Sequence, residues 1–434
     1  MDHLTPVRLV GYESFVTRAC EQPIVLRLEG VVNSRWDAQF DLYICRFLAR
    51  ALPRVKELRA PLKFFWSFDF RGTLSLPSLE CLAVRSDSFS PGRGEAFSKS
   101  QVEAVLSAPS LTKLQLASMQ WYQMDIYPTS RLTSLECWIG MNMGELVRPG
   151  TACPELKAMK IVVFDSRNEN VDQPLLFPSL VSLDILSKLA EPPILLDRMM
   201  CPSLVTFAYA TSKSDGRPNV DSRDVFVTSL IACVQRSQCT LRSFSLSLPH
   251  DILPSDHEWL QELLLISASV KSLGFTMRLE SRGVDLPTLA LYHLWSLLTI
   301  PSPIEGSVLL PRLDTVKMRV DDWTYAVNGG CHPGDLNRDI VGRFIKMAES
   351  RGRIAAPLHI ATLRRAELVL LRTFQGKDAP EEDAAQRAMA HELNRRREVL
   401  VNSGMNCTIE EVLNERPRKR WGCGTGMLSQ SLLD

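Results

Sequence analysis

Three stretches of the sequence carry residue types that could do covalent or metal chemistry. Cys331-His332 stands in a glycine-rich loop (Gly329, Gly330, Gly334) with Asp335 close behind, and could be drawn as a thiol–imidazole pair. Adjacent side chains rarely face each other, and a catalytic Cys and its His are normally distant in sequence, so an ordinary loop is expected. His250, Asp251, Asp256, His257 and Glu258 offer metal-ligand types. Their spacing fits no H-x-x-x-H or H-E-x-x-H pattern, and Asp256 and Glu258 suit the first turn of a helix, where acids favour the dipole. Gly422-Cys423-Gly424-Thr425-Gly426 has the glycines of a phosphate loop without the strand before it and helix after it. The expectation is therefore no catalytic, cofactor-binding or metal-binding residue and no enzyme activity.

A fourth group points to binding, and it depends on a repeat. Arg131-Leu132-Thr133-Ser134-Leu135, Pro154-Glu155-Leu156-Lys157-Ala158-Met159, Pro178-Ser179-Leu180-Val181-Ser182-Leu183 and Pro202-Ser203-Leu204-Val205-Thr206-Phe207 say one sentence four times. Their leading leucines fall at 132, 156, 180 and 204, a period of 24 residues. A fixed period in the twenties with L-x-x-L-x-L spacing is the leucine-rich-repeat signature. Looser copies lead with Val55, Leu79, Leu111, Leu241, Val270 and Leu313, which makes ten units, regular in the middle and stretched at both ends.

In L-x-x-L-x-L the last two apolar residues are two apart and so share one face of a strand. The preceding proline, lacking an N–H, is expected to stop an incoming helix and to stand at the strand's first residue. Helical patterns lie between strands at residues 37–52, 221–236, 256–267, 286–298 and 337–349, with a capping-box spacing at Ser100 and Glu103. Strand, return helix and next parallel strand define an α/β solenoid, with strands on the concave face and helices on the convex face. Aligned strands put Glu136, Lys160 and Asp184 in one concave row, an alternating charge ladder, and Trp138, Val162 and Leu186 in the next. The second row is expected to be a solvent-facing apolar stripe ending in tryptophan, the kind of surface that marks a partner site. A slip of one residue in register would bury it.

The expected organisation is an N-terminal segment over residues 1–23, an irregular solenoid over 24–336, a closing unit over 337–414 and a disordered tail over 415–434. Ile24 opens the first strand-like run, and a long charged helix from about Asp378 stops at Gly404 before a short strand from Met405. Arg416, Arg418, Lys419 and Arg420 read as either a nuclear-import signal or a solvated tail, and Arg395 to Arg397 beside Glu392 as a solvated helix face. Across 434 residues the 45% apolar fraction is that of a folded protein, and 50 basic against 49 acidic residues argue against nucleic-acid or membrane-surface binding by bulk charge. No stretch approaches the ~18 apolar residues of a membrane span. Eleven cysteines without a C-x-x-C, two of them (Cys81, Cys137) at positions suited to a small apolar residue, suggest a reducing cytoplasmic or nuclear setting.

Proline-serine-leucine units at irregular intervals, followed by a long charged helix and Glu398-Val399-Leu400-Val401-Asn402-Ser403-Gly404-Met405-Asn406-Cys407-Thr408-Ile409, resemble the large fungal family of F-box-like leucine-rich-repeat proteins. The likeness covers roughly residues 15–410. It implies a substrate-recognition region of a ubiquitin-ligase receptor, with an unknown protein on the concave face and the Skp adaptor as partner if an F-box lies upstream. Nothing near Met1 resembles the L-P-x-E opening of an F-box. The alternative is a stand-alone leucine-rich-repeat interaction protein with no ubiquitin-ligase link.

Overall fold

The computed structural model describes residues 14, 16–18, 22–27, 47, 50–61, 76–85, 107–116, 131–141, 153–163, 174–187, 195–211, 220–249, 258–278, 286–300, 308–323, 333–353, 360–374, 384–402 and 404–415. The strands are β1 (Ile24–Arg27), β2 (Val55–Pro61), β3 (Cys81–Arg85), β4 (Lys113–Leu116), β5 (Ser134–Met141), β6 (Ala158–Val163), β7 (Leu175–Leu176), β8 (Ser182–Ser187), β9 (Met199–Met200), β10 (Thr206–Thr211), β11 (Ser243–Pro249), β12 (Ser272–Arg278), β13 (Thr315–Trp323), β14 (Arg365–Phe374) and β15 (Asn406–Glu415). The helices are α1 (Leu195–Arg198), α2 (Val220–Ser237), α3 (Glu258–Ile266), α4 (Leu286–Leu298), α5 (Pro333–Arg353) and α6 (Ala384–Asn402). Thirteen strands form one parallel sheet whose order follows the chain, and β7 and β9 pair separately. Sheet order equal to chain order, with helices in the connections, is the solenoid-like α/β architecture expected from the period. Among the described residues no helix is long and apolar enough to cross a membrane.

The chain divides into two compact units, Met1–Gly274 with Gly306–Leu313, and Phe275–Glu305 with Asp314–Asp434. In the first, the repeat acts through a turn. The N–H of Leu79, Leu111, Leu156, Leu180, Leu204, Val270 and Leu313 donates to the carbonyl three residues earlier at 2.9–3.4 Å. Pro77, Pro109, Pro154, Pro178, Pro202 and Pro311 hold the second position of these turns, where a fixed φ near −65° is already correct. This corrects the expectation that proline opens the strand, since the strands start four residues later, at Cys81 or Ser182 for example. The turn's first residue is also core: Leu76, Ala108, Cys153, Phe177, Cys201, Ser267 and Leu310 are all buried.

Each turn then joins the next repeat. The carbonyl one residue past the leading leucine accepts two N–H groups from the following unit: Glu80 from Thr112 and Lys113, Lys157 from Val181 and Ser182, Val181 from Val205 and Thr206. The serine of Pro-Ser-Leu adds a side-chain bond: Ser110 Oγ donates to the Pro77 carbonyl at 2.8 Å and Ser203 Oγ to that of Pro178 at 2.6 Å. All ten leading residues are at most 3% exposed. Inside β8 the alternation is strict, with Leu183 and Ile185 buried and Ser182 and Asp184 facing the open side. Phe207 and Phe244 stack at 5.9 Å between neighbouring strands of the core.

Arginine–serine pairs lock segments on the core side. Arg236 of α2 donates to the carbonyls of Leu196 and Met199, while the Cys201 N–H donates to Ser237 Oγ at 3.0 Å. Arg54 likewise holds the carbonyls of Val16 and Gln22. Cys137 is buried as expected, but Cys81, two residues past its leading leucine, lies half-buried on the open face. Burial pushes the thiols of Cys153, Cys233 and Cys407 up to about 11.

The second unit repeats these devices. In α5, Ile340, Val341, Phe344, Ile345, Met347 and Ala348 are buried at the spacing of one helical stripe. Ser350 and Arg351 cap the end of α4: the Ile300 N–H donates to Ser350 Oγ at 3.1 Å, and Arg351 Nε donates to the Leu298 carbonyl at 2.6 Å. Fully buried, the Arg351 guanidinium is lowered by desolvation to about 10. Two further repeat units appear here, led by Leu363 and Met405, both 3% exposed. Arg364 and Arg365 N–H groups share the Asp314 carbonyl, and the Asn406 N–H reaches that of Arg364 at 2.8 Å. Gly404 ends α6 with φ +86°, a conformation that suits glycine. The Ser100–Glu103 cap, the N-terminal segment up to Glu13 and the tail from Arg416 lie outside the described residues.

Leu180→Asp or Leu204→Asp should destabilise the first unit by about 3 kcal/mol or more, by leaving a buried charge unpaired. Ser203→Ala should cost about 1 kcal/mol, the worth of one exposed inter-repeat hydrogen bond. Urea titration followed by tryptophan fluorescence ranks the three variants, and an aspartate variant as stable as Ser203→Ala would contradict this packing.

Candidate partner-binding face

The face of the first unit opposite its core is built by strand register. Reading across β4, β5, β6, β8, β10 and β11, one row runs Gln115, Glu136, Lys160, Asp184, Ala208 and Ser245. The sequence-derived charge row is therefore brought together. Gln115 Nε2 donates to Glu136 Oε2 at 2.8 Å, and Lys160 Nζ lies 3.6 Å from Asp184 Oδ2. The row closes on Gly274, where a Cβ would lie 2.7 Å from Ser245 Oγ and 3.2 Å from Ser245 Cβ, so a larger residue there would force Ser245 to shift.

Trp138, Val162 and Leu186 do not form the expected stripe. Between β5 and β6 the register runs Glu136 to Lys160 and Cys137 to Ile161, then jumps to Gly140 opposite Val162. Trp138 and Ile139 are thus extra residues on β5, a bulge of the kind that re-aims a side chain. Instead of standing beside Val162, Trp138 takes Lys160 Nζ over its ring, 4.7 Å from the centroid. Val162, predicted to face solvent, is 1% exposed, because burial in β6 is continuous from Ile161 to Val163 and that end of the strand is enclosed on both faces. Leu186 is half-buried opposite Val162, and Trp138 is half-buried.

Lys160 is the hub, shared between an indole and a carboxylate. All three side chains are half-buried, so the cation over the ring contributes ~0.5–2 kcal/mol, between the exposed and desolvated limits. Burial raises the Asp184 carboxyl above its ordinary value; Lys160 opposes this by charge and hydrogen bond, and Glu136 reinforces it. The side chains are held in place by one another, which is what a preformed binding surface requires.

Cys331, His332, His250, Asp251, Asp256, His257 and the glycines from Gly422 to Gly426 lie outside the described residues, while Glu258 opens α3 and Asp335 lies in the first turn of α5. Among the described residues no three His, Cys, Asp or Glu side chains stand where they could hold a metal ion. On α6, Glu392 pairs with Arg395 and Arg396 as an exposed set. Sequence reading missed two contributors to the face, Gln115 and the charged pair Glu57 and Arg59. Their signal was available in the alternation of Glu57-Leu58-Arg59, which puts both charges on one side of a strand.

A scan of protein-family models finds no match to this sequence, and a search of curated proteins finds none either.

The pH dependence follows from Asp184. Its folded-state value lies above its unfolded value near 3.8, so the folded state holds the proton to higher pH than the unfolded chain does. Ionisation at this position therefore costs stability once pH rises through that window, and the cost is absent below it. Asp184→Asn should melt at or above the temperature of the unaltered protein at pH 7, with the difference vanishing near pH 3. A lower melting temperature at pH 7 would show that the Lys160 pair outweighs burial.

Proposed function

We propose that this chain is a non-catalytic protein-interaction scaffold that binds a partner protein on the open face of its first unit, in the manner of the substrate-recognition region of an F-box and leucine-rich-repeat ubiquitin-ligase receptor. The observation that carries this reading is Trp138. A two-residue bulge sets it off the strand ladder, half-buried, with Lys160 across its ring and Asp184 and Glu136 in the adjoining row. Tryptophan ringed by organised polar groups is the usual composition of an interface anchor. The repeat period and the charged α6 helix before Gly404 support the family likeness. Buried free thiols at Cys201, Cys233 and Cys407 support a reducing compartment, cytoplasm or nucleus.

The test is a tagged pull-down from native cell extract with mass spectrometry, run in parallel for the unaltered chain and Trp138→Ala. Trp138→Ala is expected to stay folded, at a cost of about 1–3 kcal/mol for a half-buried indole, and to lose the specific prey. A Skp adaptor and a cullin among the prey would mean a ligase receptor; prey without them would mean a stand-alone interaction protein. Identical prey from both forms, or a collapsed melting temperature for Trp138→Ala, would remove the tryptophan from the interface.

A further inference from the structure

The same face carries a second, oppositely charged triad. Across β1 and β2, Arg27 stands opposite Arg59, and Glu57 takes both guanidinium groups, Arg27 Nη2 at 3.7 Å and Arg59 through Nε. Lys113 joins from β4, in one row with Glu57 and Cys81. Among the described side chains of β1 to β4 on this face, Arg27, Arg59 and Lys113 thus stand against one carboxylate, Glu57. On β5, β6 and β8 the order is inverted: Glu136 and Asp184 flank the single ammonium of Lys160. One cluster has surplus positive charge and the other surplus negative, and Arg59, Ala83, Gln115 and Glu136 occupy a single row between them. Beyond Asp184 the row is uncharged, at Ala208 and Ser245.

We propose that this face recognises an extended, charge-alternating polypeptide segment of the partner, lying across the strands with an acidic side chain over Arg27 and Arg59 and a basic side chain over Glu136 beside Trp138. The inference rests on the proposed function and names the partner's chemistry. Three strand steps separate β2 from β5, about 14 Å at ~4.8 Å each. Four residues of extended chain cover about the same distance at ~3.4 Å each, and an even spacing returns both side chains to the same side. The recognised pattern is therefore an acidic residue followed or preceded four positions away by Lys or Arg. Complementary charge fixes direction as well as position, because a reversed segment puts like charges together.

The experiment pans a random twelve-residue peptide display library on the full chain, on Trp138→Ala, and on the charge-inverted Glu136→Lys/Asp184→Lys variant, with circular dichroism confirming that each is folded. The expected result is enrichment of peptides with opposite charges four apart, about tenfold weaker binding to the charge-inverted variant, and loss on Trp138→Ala. Enriched peptides without that charge spacing but still dependent on Trp138 would overturn the charge inference and leave the binding face standing. Enriched peptides indifferent to both variants, or no enrichment, would overturn both. Light scattering on the same samples separates the remaining occupant: a concentration-dependent dimer broken by the charge-inverted variant would mean that the two triads pair between copies of this chain, and would overturn the peptide assignment.

Discussion

Everything in the first unit hangs on one backbone carbonyl per repeat. Placed one residue past the leading leucine, it accepts two N–H groups from the next unit, as Lys157 does from Val181 and Ser182. That double bond fixes where the next strand begins, and so its register against the last. Register decides which residues are core and which form the open face, since a shift of one residue exchanges the two. The leading leucine, the tight turn before it and the inter-repeat serine all serve to hold that carbonyl in place. The charge row from Gln115 to Asp184 follows from the arrangement; it is not an independent feature.

Much of this was legible in the sequence. Apolar spacing located all ten leading residues and the helices that became α2 to α5, because buried positions repeat with the backbone's own period. The row Glu136, Lys160 and Asp184 was legible for the same reason. Leu363 and Met405 were not located as repeat leads: strand and helix signals mix around Leu363, and Met405 reads as the first residue of a short strand after a helix. The Pro-Ser pair itself was visible, but its role was misread. Proline was assigned to the strand, whereas it belongs to the turn, and the serine's bond to the preceding repeat has no signature within one repeat.

The Trp138 bulge was illegible on physical grounds. Periodicity counts residues along one strand, whereas a bulge is a difference between two strands, visible only when both are paired. Counting placed Val162 beside Trp138; pairing placed it opposite Gly140 and enclosed it. The irregularity coincides with the candidate anchor. Local departures from a repeat rule concentrate where a surface is used for binding, and here the departure frees an indole from a row it would otherwise share with valine and leucine.

The most direct measurement is hydrogen–deuterium exchange of the intact chain, resolved to single amides across residues 153–211. Strong, periodic protection is expected at Leu156, Lys157, Ala158, Leu180, Val181, Ser182, Leu204, Val205 and Thr206, because each N–H closes a turn or reaches the shared carbonyl of the neighbouring repeat. Rapid exchange at Val181, Ser182, Val205 and Thr206, with protection elsewhere in the strands, would contradict the shared-carbonyl ladder and with it the register on which the binding face depends.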